Sequence, residues 1–339
     1  MGDHTMSKTG LELIRQEMSM QHADALASLN QNKAVTKQIA NKLESTHRLV
    51  LLGMGGSHFA NHSAEAEYKK LGLDVTALLI SEALYYHLNN APRVVLIASQ
   101  SGESGEILHY LKKDADQENR FGLTLNAEST LAKTIPSLIG IGGPELGFAA
   151  TRSMMISLAL HASLLEALGL PQENVRGILK NPPVPDVSKA IDILAQTETV
   201  AFVGRGPLQG IAEMGALAMT ELARITAIAY EGGAFRHGPL ESLRPNLGVV
   251  FLRAADATAQ HTKELAEICL DAGMKPVVFD TSAEADIPEC LTIRLPHLTG
   301  LAAAMAVLQP LQTMVLALAS KRVKNVGEPV RSSKITREG

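Results

Sequence analysis

The sequence is poor in cysteine: Cys269 and Cys290 are its only two, and neither sits in a CxxC or Cys/His spacing. That excludes a disulfide framework and offers no metal-binding pattern. Two ordinary buried thiols in a reducing compartment are the expectation. The sequence also lacks a basic patch. Lysine and arginine total 31 against 35 acidic residues, the formal net charge is −4, and the one short basic run is Lys321, Arg322 and Lys324. Nucleic-acid binding needs concentrated positive charge, so that run reads as a solvated helix end. An uninterrupted apolar span is missing as well. Met154–Leu170 carries His161 and Glu166, and Leu298–Ser320 carries Thr299, Gln309, Pro310, Gln312 and Thr313. A bilayer-crossing helix wants about 20 residues with almost no polar interruption, so both stretches read as core helices. Met1 to Met6 offer neither a basic nor an apolar segment, and no signal peptide is expected. The expected location is cytoplasmic, with no membrane or nucleic-acid partner.

What is present is ample apolar material: 46% of 339 residues, enough for two domains of roughly 100–200 residues each. Residues 6–45 read as helical, with Leu11, Leu13, Ile14 and Met18 at helical spacing. Strands are predicted at Arg48–Leu52, Val75–Ile80 and Val94–Ile97, with helices over about 58–70 and 81–89 and another opening after Ser104. Strand, loop and helix in alternation predict a parallel sheet covered on both faces. Asn181-Pro-Pro-Val-Pro-Asp186 interrupts the pattern as a linker. The pattern then restarts with Thr199–Val203 and a long helix to about residue 224, followed by strands at Gly248–Leu252 and Pro276–Phe279. The turn at Leu52-Gly53-Met54-Gly55 recurs as Val203-Gly204-Arg205-Gly206, an offset of 151 residues (204 − 53). Two copies of one α/β unit explain the length. The expected division is residues 1–45 as N-terminal helices, 46–180 as a first unit and 187–339 as a second.

The copies differ where chemistry is expected. After its third strand the first has Ser99-Gln100-Ser101-Gly102-Glu103-Ser104, and the second has Arg253-Ala-Ala-Asp-Ala257. Three hydroxyls and an amide at the start of a helix offer donors beside unpaired backbone N–H groups, a seat for phosphate. The bland alternative is a serine cap. Gly53-Met-Gly55-Gly56-Ser57 superficially resembles a dinucleotide fingerprint, and Asp74 follows at about the right distance. The third glycine is missing, however: that position is His58, and Asp74 precedes the second strand. The turn is better read as bringing backbone and Ser57 near a ligand at the sheet's carboxyl edge. His237, in Gly232-Gly-Ala-Phe-Arg-His-Gly-Pro239, suits a general acid/base or a plain turn histidine. Glu221, among Ala218, Met219, Leu222 and Ala223, is either a buried base or a solvent-facing carboxylate. Lys334 alone reads as a solvated tail residue.

Together these motifs resemble sugar isomerase (SIS) domains. His237-Gly-Pro lies sixteen residues after Glu221, and the tail is Pro329-Val-Arg-Ser-Ser-Lys334. Both are similar to the isomerase half of glucosamine-6-phosphate synthase and to related phosphosugar isomerases, deaminases and deglycases. The resemblance covers about residues 46–339. It implies two tandem SIS domains, each a flavodoxin-like three-layer α/β/α sandwich, in a homodimer that shares its active sites. Ser57, Ser99, Gln100, Ser101 and Ser104 would hold a sugar 6-phosphate, and Gly55, Gly56, Ala149 and Arg152 would line the sugar. His237, from the neighbouring subunit, would open the ring. Glu221 would move a proton between C1 and C2, and Lys334 would polarise the carbonyl or form a Schiff base. No cofactor or metal is implied.

Departures from the synthase pattern matter. Ala218 stands where a lysine is expected, Ala234 where an acid is expected and Ala150 where a hydroxyl is expected. No amidotransferase half is expected within these 339 residues. The expectation is an enzyme acting on a 6-phosphorylated amino sugar or ketose amine, with proton transfer coupled to amine release or transfer. The alternatives are a synthase-like isomerase without its glutaminase half and a non-catalytic sugar-phosphate sensor.

Overall fold

A computed structural model describes residues 8–86, 91–113 and 118–335. The predicted N-terminal helices are α1 (Gly10–Asn30) and α2 (Lys33–Thr46), separated at Asn32, which adopts the left-handed conformation. Then come β1 (Arg48–Gly53), α3 (Gly55–Lys70), β2 (Asp74–Leu79), α4 (Ile80–Tyr85), β3 (Arg93–Ala98), α5 (Gly105–Leu111), β4 (Glu118–Thr124), α6 (Thr130–Thr134), β5 (Ser137–Ile139), α7 (Arg152–Ala167) and α8 (Glu173–Lys180). The helix expected near 81–89 is α4; residues 87–89 lie outside the described residues.

The second unit runs α9 (Ser188–Leu194), β6 (Thr199–Gly204), α10 (Pro207–Ala218), β7 (Thr226–Glu231), β8 (Leu247–Arg253), α11 (Ala259–Asp271), β9 (Val277–Asp280), β10 (Leu291–Arg294) and α12 (Gly300–Arg322). The proline-rich segment at 181–186 lies between α8 and α9.

Both sheets are wholly parallel, ordered β2-β1-β3-β4-β5 and β10-β9-β8-β6-β7. Read from the other edge, the second order repeats the first strand for strand. This is the flavodoxin-like order, in which the chain reverses direction across the sheet between its first and third strands. The central strands are continuous apolar runs because a parallel sheet covered by helices is buried on both faces. β3, β8 and β9 are buried throughout.

The two units share a core. One apolar cluster joins Leu51 and Leu96 of the first sheet to Val200 and Phe202 of the second through α3, α10 and α12. Helix α12 is the one described helix long and apolar enough to cross a membrane, and it is mostly buried, packed against α7, α8, α9 and α10. Helix α1 lies along α7. Both cysteines are free and pack in one cluster under β8 and α11. Burial, with each other or nearby acids adding to it, pushes the Cys269 thiol up to about 12 and Cys290 up to about 11.

Candidate active site

The reversal point between β1 and β3 leaves a crevice at the carboxyl ends of the strands, where ligands of such sheets bind. The β1–α3 turn and the β3–α5 loop flank it. Between them opens a cleft with about 350 Å³ of water-accessible space, lined by Gly55, Gly56, Ser57, Ser99, Gln100, Ser101, Ser104, Glu221 and Lys334. Residues separated by up to 279 positions (334 − 55) thus meet in one place.

The β3–α5 loop is internally braced. The Ser99 hydroxyl accepts from the Gly102 amide at 3.1 Å and lies 3.4 Å from the Ser104 hydroxyl. Ser104 is the N-cap of α5 but makes no side-chain capping bond, so its hydroxyl is not consumed by the helix as a plain cap would be. The loop's one acid is turned away: Glu103 accepts from the amide and hydroxyl of Thr130. Gly102 has φ +65°, and a Cβ there would lie 2.3 Å from the Ser129 hydroxyl. Gly102→Ala is expected to cost about 1–2 kcal/mol from the left-handed backbone alone, with a further loss from the clash. A denaturant titration reads it. Across the cleft, Gly56 lets α3 start against the Ala150 methyl, which an added Cβ would meet at 2.9 Å.

Glu221 lies on a π-helical turn, Met219–Ala223, that continues α10 and ends at Arg224 with φ 55°. Such turns concentrate at functional sites. Its Oε2 is buried and has no hydrogen-bond partner among the described residues. Burial pushes its carboxyl up to about 7, with the Glu145 carboxylate adding and the Lys334 ammonium opposing.

Lys334 reaches into the cleft from the C-terminal tail. Its Nζ donates to Glu145 Oε2 at 3.0 Å and to the Phe148 carbonyl at 3.4 Å. Glu145 is fully buried at its side chain. It also accepts from the amide and hydroxyl of Thr151, both at 2.9 Å, and from the Ser153 hydroxyl at 2.6 Å. Burial alone would raise its pKa, but Lys334 and these donors hold it below the ordinary carboxylate range. Nothing local in the sequence marks Glu145. Ser153, Phe148 and Glu106 line the cleft unforeseen, as do Ser332 and Ser333 beside Lys334, and Ala150 lines it where a hydroxyl is expected.

Two placements differ from expectation. Arg152 does not line the cleft. It is buried, pairs with Glu17 and with Asp24 (3.1 Å) on α1, and donates to the Ile141, Gly143 and Pro144 carbonyls. All five guanidinium N–H groups have work there, so Arg152 fastens α1 to α7. Ala149, fully buried, faces instead a small apolar void between α1, α10 and α12, about 10 Å³. His237 is exposed at the end of a short 3-10 turn, outside this chain's own cleft.

Two alternative sites weaken. Asp74 begins β2 at its amino end and pairs with Arg48 at 2.8 Å, so it cannot meet a ribose at the carboxyl edge. In the second sheet the third strand ends on Arg253. It is buried, pairs with Asp280 at 3.2 Å and donates to the Ala259 and Ala285 carbonyls. A buried ion pair thus closes the end of that strand, where the first sheet carries the serine loop. Among the described residues no three His, Cys, Asp or Glu side chains gather to hold a metal.

The SIS domain family model matches residues 193–321, the second of the two matching sheets with its helices. Over those residues the chain matches an SIS domain. It is 27% identical over 288 residues to a glutamine–fructose-6-phosphate aminotransferase (isomerizing) of Agrobacterium fabrum, covering 77% of this chain and 47% of that one. Against the protein of the same name from Sulfurisphaera tokodaii it is 26% identical over 257 residues, covering 72% and 43%. This chain therefore spans about half the length of the curated relatives it matches. The C-terminal domain of glucosamine-fructose-6-phosphate aminotransferase from Francisella tularensis superposes with TM-score 0.82 at 19% identity, covering 97% of this chain and all of that one. A glucosamine-6-phosphate deaminase from Thermotoga maritima gives 0.77 at 19%, covering 96% and 100%. The fold is that of tandem SIS domains.

Proposed function

We propose that the chain acts on a 6-phosphorylated amino sugar or ketose amine and couples proton transfer between C1 and C2 to release of the amine. The observation that carries this reading is the carboxyl of Glu221, poised near neutrality by burial, in the same cleft as the serine loop and Lys334. A base with a pKa close to working pH is the efficient one.

In this reading the phosphate sits among Ser57, Ser99, Gln100, Ser101 and Ser104, facing the amino ends of α3 and α5, where backbone N–H groups favour an anion. Gly55 and Gly56 let it approach. Lys334 donates to the carbonyl oxygen at C2, which acidifies the C1 hydrogen. Glu221 takes that proton, the electrons of the C–H bond become the C1–C2 double bond, and the C2 oxygen gains a proton. Return of a proton to C2 leaves an imine at C1, which water cleaves to an aldose phosphate and a free amine. His237 from a second copy of the chain opens the ring.

Two features favour amine release over amine transfer. Ala218 replaces a lysine, and the cleft has an apolar wall of Phe148, Ala150 and Leu217 able to accommodate a substituent on the amine. A panel of 6-phosphorylated ketose amines and amino sugars, assayed together for glucose 6-phosphate and for released ammonia or amino acid, tests it. Stoichiometric release of both products is expected. Interconversion of neutral sugar phosphates without any amine-bearing substrate would refute it.

A further inference from the structure

Glu145 is a buried anion held by five donors, four of them at the start of α7. The amides of Thr151 and Ser153 and both their hydroxyls point to its carboxylate. The helix amino end adds its own positive field. The fifth donor is Lys334, 189 residues away. Among the described residues no other cationic side chain lines the cleft. An amine that attacks a carbonyl must first lose its proton, because the lone pair is the nucleophile. Deprotonating Lys334 would leave Glu145 buried without its cation, which is the costly way to break a buried pair. As an ammonium, Lys334 has three N–H groups; two are used by Glu145 and the Phe148 carbonyl, and among the described residues none takes the third, which leaves it to the cleft.

We infer that Glu145 is a positioning residue that keeps Lys334 a fixed ammonium, so that Lys334 polarises the substrate carbonyl without bonding to it. This role rests on the reading that a phosphorylated ketose or ketose amine occupies the cleft. It separates the two duties open to Lys334, because a Schiff base would form a C–N bond to Nζ and expel water, whereas polarisation forms no covalent bond.

Reductive trapping decides between them. The full chain is incubated with fructose 6-phosphate and sodium cyanoborohydride, then weighed intact and peptide-mapped. Wild type is expected to keep its own mass. Glu145→Gln, which removes the anion and preserves shape, is expected to gain one reduced sugar phosphate at Lys334. An adduct at Lys334 in wild type overturns the inference. So does a folded Glu145→Gln that binds fructose 6-phosphate and stays unmodified. Should that variant not fold, the wild-type mass alone decides. Binding is read separately, as a fructose 6-phosphate-dependent rise in melting temperature. Absence of that rise in wild type defeats the proposed function itself, whereas a rise with trapped wild type defeats only the role of Glu145.

Discussion

Glu221→Gln is expected to lower turnover by about 10²–10⁴-fold, the usual contribution of a positioned acid or base, while leaving sugar-phosphate affinity nearly unchanged. Glutamine keeps the shape and cannot accept the proton. The wild-type carboxyl ionises near 7 in the folded chain, and a base works only when ionised. The kcat/KM profile of wild type should therefore rise with pH and level off above about 7; in the variant that limb disappears. Stability moves the other way. The folded carboxyl holds its proton up to about 7, against 4.5 for an ordinary glutamate. Between these values the unfolded chain binds fewer protons than the native one, so wild-type stability falls as pH rises through that window. Glu221→Gln should lack this slope and melt higher than wild type at pH 8. A variant with full activity removes Glu221 from the mechanism; one that loses activity and melts lower at pH 8 assigns it a structural role instead.

That residue shows where the sequence was informative and where it stopped. β1, β3, β6 and β8 were legible because central parallel strands are buried on both faces and read as unbroken apolar runs. β4 was not, since it opens with Glu118-Asn-Arg120, a polar start that makes sense only once Glu118 meets Arg93 and Arg120. β7 is half-exposed at a sheet edge and β5 is three residues long, so neither carries a periodic signal. The break between α1 and α2 has a tertiary cause. Asn32 takes the left-handed conformation that asparagine tolerates while its side chain bonds both the carbonyl and the amide of Ile139.

In the site, the serine loop was readable because its residues are contiguous and the helix after it explains them. Glu221 was left between core and solvent because a regular helix does not reveal a π-helical turn. Arg152 was assigned to the ligand by likeness, whereas its ion-pair partner Glu17 stands 135 residues away. Glu145 had no signal at all, since four of its five donors become neighbours only through the 144–153 loop and the fifth comes from the far end of the chain. Long-range electrostatics is the part of a site that local patterns do not encode.

His237→Ala should be the second large loss, again about 10²–10⁴-fold, and its origin can be traced to the other subunit. The side chain is exposed and lies outside its own chain's cleft, so in the proposed dimer it serves the partner's substrate. Glu221→Gln and His237→Ala would each be inactive alone. Mixed in equal amounts under conditions that exchange subunits, about half of the dimers carry one of each. A two-fold interface gives each such dimer one site with both groups lost and one with both intact, so about a quarter of wild-type activity should return. Recovery at that level places the acid and the base on different chains. If exchange is verified by mass and no activity returns, Glu221 and His237 must serve one site from one chain, and the tail or the His237 loop would have to move to bring them together.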